Sequence, residues 1–280
     1  MSDNSQKAMR QKGAQQKGAQ QRRHTVNLQA VKQAAAMARD LFKDRDALVI
    51  ESKGLQDWVS NADRSVEETI RATLAQAFPD DSIFGEEYDD VVGSSGYTWV
   101  IDPIDGTTCF VNGMPGWCVV LACVFEGQVI SAVIRDPIID ETFATQQGEG
   151  ATLNGKAISV SDATALDQGT VSVGHSARVP ADGTLRVLEQ LLHANGIYCR
   201  SGSGALHLVY VAAGRVIGYC EAQMNAWDCI AALAIIEAAG GNVQPFDMQD
   251  MLAKGGRVVT ACPGVYPALC EITDTAYKPS

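Results

Sequence analysis

No stretch of about 18 consecutive apolar residues occurs in this chain of 280, so none of it reads as a membrane-spanning helix. The basic residues near the N-terminus are not followed by an apolar core, which argues against a secretory signal and for a cytoplasmic location. Histidine is scarce: His24, His175, His193 and His207 are the full complement, and no two stand at ligand spacing, which argues against a zinc enzyme. Eight cysteines are present without a single Cys-x-x-Cys pair, and most sit in apolar surroundings. They read as reduced core thiols, not disulfides or zinc ligands.

What is present is a composition 46% hydrophobic, enough for one large or two medium domains. The formal charge of −11 is unevenly spread. Residues 1–24 hold six of the 22 Lys and Arg and one of the 33 Asp and Glu, leaving 16 basic against 32 acidic residues for the rest. That balance suits a site built from carboxylates around metal ions, and equally suits plain solubility. Residues 1–24 are rich in Gln, Ala, Gly and Lys, with Gln-Lys-Gly-Ala-Gln at 11–15 and again at 16–20. They lack apolar periodicity and are expected to form a disordered basic tail.

From about residue 25, Val26, Ala30, Val31, Ala34, Ala35, Ala38, Leu41 and Phe42 share one helical face. A second helix is expected from Ser65, with Ser65 and Glu68 as a capping box and Pro79 as its stop. The intervening segment, residues 52–57, reads as a mobile loop. Ser82–Gly85 reads as a short strand ending in Glu86 and Glu87, Trp117–Phe125 with Val129–Ile134 as a β-hairpin, and Glu141–Gln146 as a further strand. Glycines at 148, 150 and 155 place a domain boundary near residue 150. Residues 25–150 then form an N-terminal α+β subdomain and residues 151–280 a C-terminal α/β subdomain with alternating strands and helices.

The stretch Trp99-Val-Ile-Asp-Pro-Ile-Asp-Gly-Thr107 concentrates the chemistry. An apolar strand delivers Asp102 and Asp105 into a turn, with the carbonyl of Ile104 between them, an all-oxygen set of the kind hard divalent cations prefer. Gly106 and Thr107 then open a segment whose free N–H groups can point at an anion. Asp-Pro and Asp-Gly are also ordinary turn dipeptides, so this segment alone fits a plain turn as well. Further along, Trp227-Asp228 opens an Ala-rich helix closed by Gly240-Gly241, where Asp228 fits either an N-cap or a ligand.

Gly85-Glu86-Glu87, then Trp99 through Thr107 with Phe110, then Trp227-Asp228 and Glu237-Ala-Ala-Gly240-Gly241 together resemble the inositol monophosphatase family of lithium-sensitive, metal-dependent phosphatases. Weaker echoes cover residues 26–272. The resemblance implies a layered αβαβα sandwich of two subdomains, like that of fructose-1,6-bisphosphatase and inositol monophosphatase. It implies two or three Mg²⁺ ions: one held by Glu86, Asp102 and the Ile104 carbonyl, a second by Asp102, Asp105 and Asp228, and a third near Glu86 with Asp63 in its outer sphere. Gly106 and Thr107 would bind phosphate, and Glu86 and Thr107 would prepare the attacking water, with a proton donor near Asp105. Glu221 would contact substrate hydroxyls.

The implied activity is hydrolysis of a small polyol phosphate, inositol 1-phosphate first among them, by a homodimer. Histidinol phosphate is the alternative substrate. A regulatory protein on the same scaffold, touching RNA or the transcription machinery, is a reading of another class. Haloacid-dehalogenase phosphatases use Asp-x-Asp-Gly-Thr with an aspartyl nucleophile, whereas the spacing here is Asp-x-x-Asp-Gly-Thr and would leave Glu86 and Asp228 without a role.

Overall fold

The computed structural model describes residues 3–44, 48–54 and 57–277. Its elements fall into five layers, alternating helix and sheet, as the family resemblance implied. The first layer is α1 (Asp3–Lys43) and α2 (Asn61–Ala77). Small buried residues on α1, Ala30, Ala34, Ala35 and Ala38 around Val31, let it lie close to the strands beneath.

The second layer is a seven-stranded sheet of β3 (Ser82–Gly85), β4 (Tyr97–Asp105), β5 (Cys118–Phe125), β6 (Gln128–Asp136), β7 (Glu141–Gln146), β8 (Thr152–Leu153) and β9 (Lys156–Ala157), hydrogen-bonded in chain order. β3 and β4 are parallel, and the pairs from β4 onward are antiparallel. Alternation along β5 feeds two cores: Val119, Leu121 and Cys123 face the first helical layer, while Val120, Ala122 and Val124 face the next. That next layer is α5 (Gly204–Ala212) and α6 (Ala226–Ala238), buried on both sides.

The fourth layer is a five-stranded sheet in the order β11 (Ile197–Cys199), β10 (Thr170–Val173), β12 (Gly218–Met224), β14 (Gly256–Ala261), β13 (Asn242–Val243). β10 runs parallel to both β11 and β12, and β14 runs antiparallel to its neighbours. The outer layer is α4 (Asp182–His193) and α8 (Tyr266–Ala276), packed through Val187, Leu191, Leu269 and Ile272. Outside these layers lie two short helices, α3 (Thr107–Val111) and α7 (Met248–Lys254), and the hairpin of β1 (Ile50–Gly54) and β2 (Asp57–Ser60).

Four expectations are revised. Residues 3–24 continue α1 instead of forming a disordered tail; Met1 and Ser2 lie outside the described residues. Residues 20–24 dock on the body: Gln20 reaches Gln147, and Arg23 forms a two-pronged, buried ion pair with Asp81 (2.9 and 2.7 Å). Apolar periodicity misses this docking because its contacts are polar. The segment 52–57 belongs largely to the β1–β2 hairpin, with residues 55 and 56 outside the described set. α2 starts four residues before Ser65, with Ser60 as N-cap and Asp63 closing the capping box. The boundary expected near residue 150 falls before β8, whose pairing of Leu153 with Phe143 keeps residues 152–157 in the first sheet.

Candidate active site

β3 ends where Gly85 pairs with Ile101 of β4, which carries Glu86 and Asp102 to the same rim of the first sheet. Residues three apart on a regular strand point to opposite faces. β4 avoids this with a bulge: Asp102 pairs with Val120 and Asp105 with Cys118, so three steps on β4 match two on β5. The extra residue brings both carboxylates to one side. β4 thus runs through both acids, where the sequence pattern predicted its end at Asp102. Asp102 Oδ1 accepts the N–H of Ile104 (3.0 Å), which fixes the backbone between them.

Asp228 comes from the first turn of α6, where its Oδ2 accepts the N–H of Asn225 (3.1 Å). The helix-start reading and the ligand reading are therefore compatible in one side chain. One carboxylate oxygen each from Asp102, Asp105 and Asp228 lies within 4.8 Å of the others. Glu86 is not one of this trio, yet it lines the same cavity and is the strongest neighbouring charge on Asp102.

The trio is electrostatically uncomfortable. Burial, followed by the charges of Glu86, Asp105 and Asp228, pushes the Asp102 pKa well up. Burial pushes Asp105 up to about 6 against the hydrogen bonds it accepts, and burial with the Asp105 charge pushes Asp228 up to about 7. Among the described residues one cationic side chain stands within 4.0 Å of the trio, Arg178 at Asp228 Oδ2. Converging buried oxygens with so little compensating charge fit a hard divalent cation.

Several residues that motif reading passed over hold this arrangement. Ser203, the N-cap of α5, donates through Oγ to Asp105 Oδ2 while accepting the N–H of Leu206 (3.1 Å). The Ala205 N–H also donates to Asp105 Oδ2 (2.7 Å), leaving Oδ1 for a ligand. Glu67 on α2 accepts the N–H of Glu87 (2.9 Å) and is paired with Arg71 (2.7 Å), whose guanidinium also ties down the carbonyls of Tyr88 and Asp89. A Cβ on Gly85 would lie 2.2 Å from Glu67 Oε1, so this grip requires glycine there.

Gly106 adopts φ +95°, and a Cβ on it would stand 2.8 Å from the Gly116 carbonyl oxygen. It lets α3 begin at Thr107, whose Oγ1 lies 3.1 Å from Asp63 Oδ1 and 3.0 Å from the Ile104 carbonyl. Asp63 Oδ2 meanwhile accepts from the N–H and hydroxyl of Ser60 (2.8 and 2.7 Å). The structure thus places Asp63 behind Thr107, and not among the three convergent carboxylates.

The cavity has a volume of about 510 Å³. On its far side Glu221 accepts from the Tyr219 hydroxyl (2.6 Å), and burial pushes its pKa up to about 7. Arg178 donates to Asn225 Oδ1 (2.9 Å), and Ser172 and His207, 2.6 Å apart, close the floor.

The description of the matching family model, which covers residues 19–276, is inositol monophosphatase family. The chain belongs to the inositol monophosphatase family. Similar family members include Nus factor SuhB of Pseudomonas aeruginosa, 32% identical over 91% of this chain and 97% of that one. Inositol-1-monophosphatase of Rhizobium meliloti is 37% identical over 77% of this chain and 82% of its own length. Among solved structures, the extragenic suppressor protein suhB of Bartonella henselae superposes with a TM-score of 0.83 at 29% identity, covering 89% of this chain and 97% of its own. Members of this family are metal-dependent phosphatases acting on small phosphorylated molecules, and no helix among the described residues is long and apolar enough to cross a membrane.

Proposed function

We propose that this protein is a Mg²⁺-dependent phosphomonoesterase that hydrolyses the phosphate ester of a small polyol, inositol 1-phosphate first among them. The observation that carries the reading is the convergence of Asp102, Asp105 and Asp228 beside the Thr107–Asp63 pair. The R. meliloti relative carries the name inositol-1-monophosphatase, which supports the same substrate.

Two or three Mg²⁺ ions would be held by Glu86, Asp102, the Ile104 carbonyl, Asp105 and Asp228. Bound there, they would neutralise phosphate oxygens and lower the pKa of a coordinated water. The remaining work belongs to side chains and backbone. The N–H groups of Gly106 and Thr107, at the start of α3 and without helical partners, would hold the phosphate. A Thr107 hydroxyl donating to Asp63 would take a proton from the attacking water as it passes its own to the Asp63 carboxylate, which ends with the proton. Glu86, on the cavity wall, would help orient that water. A second water near Asp105 or Asp228 would give the leaving alkoxide its proton. No aspartyl-phosphate is required.

Glu221, fixed by Tyr219, would accept hydrogen bonds from substrate hydroxyls. Histidinol phosphate is the competing substrate, since an acidic cavity also attracts an amine. We further assign a cytoplasmic homodimer. A regulatory role beside catalysis is suggested by the name Nus factor on the P. aeruginosa relative; it predicts binding to RNA or transcription proteins that survives loss of turnover.

The test is phosphate release from inositol, histidinol, sugar and nucleotide monophosphates, with Mg²⁺ and with a chelator. Release from inositol 1-phosphate should lead and should vanish with chelation. Mg²⁺-independent release, or a phosphoryl group trapped on Asp102, would sink the mechanism.

A further inference from the structure

α6 borders a second cleft that the proposed reaction does not use. Asp228 sits in the first turn of this helix and Glu237 nine residues later, roughly 14 Å along the axis at 1.5 Å per residue. The β5–β6 turn at Gln128, the chain after β7 at Gln146–Glu149 and the segment Val243–Met248 enclose about 460 Å³ against the helix flank. That volume lies within the range of small-molecule sites.

The lining chemistry is one-sided. Ile230, Leu233, Val243, Phe246 and Met248 supply an apolar wall. The polar lining is made of Glu149, Glu237, Thr145 and four glutamines, with no Lys, Arg or His. Among the described residues no ion pair engages Glu237, and burial is the sole cause raising its pKa. Gln244 Oε1 is buried without a hydrogen-bond partner. Gln147 spends its amide donor on Gln128 (2.5 Å) and its oxygen on Gln20 of α1 (3.1 Å), so the lip offers little donor capacity to these acceptors. The buried Gln244 oxygen left unmet is costly, and a donor-rich guest relieves it, while the exposed Glu237 carboxylate supplies negative charge beside it.

We infer that this cleft binds a small organic cation, an alkyl ammonium or guanidinium, whose head meets Glu237 and Gln244 and whose stem lies on Leu233 and Phe246. Charge complementarity selects the head, and the apolar wall selects a stem over a bare metal ion. The Glu237-Ala-Ala-Gly240-Gly241 motif then has two parts. Its glycines turn the chain out of α6, with Gly240 at φ +87°, and its acid serves the cleft.

The test is calorimetric titration of the Mg²⁺-loaded full chain with agmatine and 1,6-diaminohexane, beside 1,6-hexanediol as an uncharged match. Saturable amine binding at least tenfold tighter than the diol is expected. Glu237→Gln should weaken it tenfold or more, and Ala234→Phe, which fills the cleft, should abolish it. Both should leave Mg²⁺-dependent turnover unchanged, and Asp228→Asn should leave amine binding intact, which separates this site from the catalytic acids. No saturable binding, equal binding of the diol, or affinity unchanged in both cleft variants would overturn the inference. A blocked lysine pentapeptide binding as tightly as the free amine would also overturn it, because the head group would then belong to a protein partner.

Discussion

Replacing Ser203 by alanine should separate folding from metal chemistry, because one hydroxyl serves both. Its oxygen caps α5 through the Leu206 N–H, and its proton goes to Asp105 Oδ2. Loss of an N-cap costs about 1 kcal/mol of stability. A hydrogen bond to a charged acceptor is worth about 1.5–3 kcal/mol against about 1 for a neutral one, so its loss favours the protonated carboxyl by roughly 1.4 kcal/mol. That raises the Asp105 pKa from about 6 by roughly one. A divalent ion must displace that proton. The ionised fraction therefore drops roughly fivefold at pH 6 and less than twofold at pH 8. The assay is the Mg²⁺ requirement for phosphate release from pH 5.5 to 9, beside a thermal melt. An acid limb moved to higher pH by about one is expected. A lowered Tm with the acid limb and Mg²⁺ requirement unchanged would show Ser203 to be a helix cap and nothing more.

Asp102→Asn and Asp228→Asn each remove charge while keeping shape, so turnover should fall at least a thousandfold with a native circular dichroism spectrum; normal Mg²⁺-dependent rates in either variant would exclude the assigned ligands. Mg²⁺-free protein should be most stable in acid. Asp105 and Asp228 have folded pKa values of about 6 and about 7 against an ordinary 3.8, so the folded state holds more protons and stability falls as pH rises from about 4 to about 7. Added Mg²⁺ should raise Tm more at pH 8 than at pH 5, and equal increments would contradict the electrostatic account. Arg23→Ala leaves Asp81 buried beside the Trp99 indole N–H (2.9 Å) and Ser95 hydroxyl (2.7 Å) without its cation. A loss of roughly 3–5 kcal/mol is expected in denaturant titrations, and a change under 1 kcal/mol would mean α1 is not held there.

What the amino-acid order reveals depends on how local the cause is. β4, the β5–β6 hairpin and α6 are legible because runs of apolar residues end at turn-forming acids and glycines. The acids Asp102, Asp105 and Asp228 are legible as a set through the family resemblance, while their common face depends on a bulge that no residue type announces. Ser203 is 98 residues from Asp105, and Glu67 is 20 from Glu87, so neither contact leaves a spacing signature. The first two dozen residues mislead for a different reason. Apolar periodicity reports a helix only where it buries a greasy face, and α1 enters the body through Arg23, His24 and Asn27, which meet Asp81, Ser131 and the Leu121 carbonyl. The last strands and helices, β13 to α8, are not legible because short elements of mixed composition carry little period.

The bulged strand lies in the first sheet and Asp228 opens a helix of the layer that covers it much later in the chain, and this sets an order of events during synthesis. A growing polypeptide can complete the seven-stranded sheet by residue 157, setting Asp102 and Asp105 at its rim before Ser203 and Asp228 have been added to cover them. Until then two acids wait without their third member. The ion centre is therefore a late checkpoint, closed only when the second half has docked, and ion-dependent turnover doubles as a readout of complete assembly.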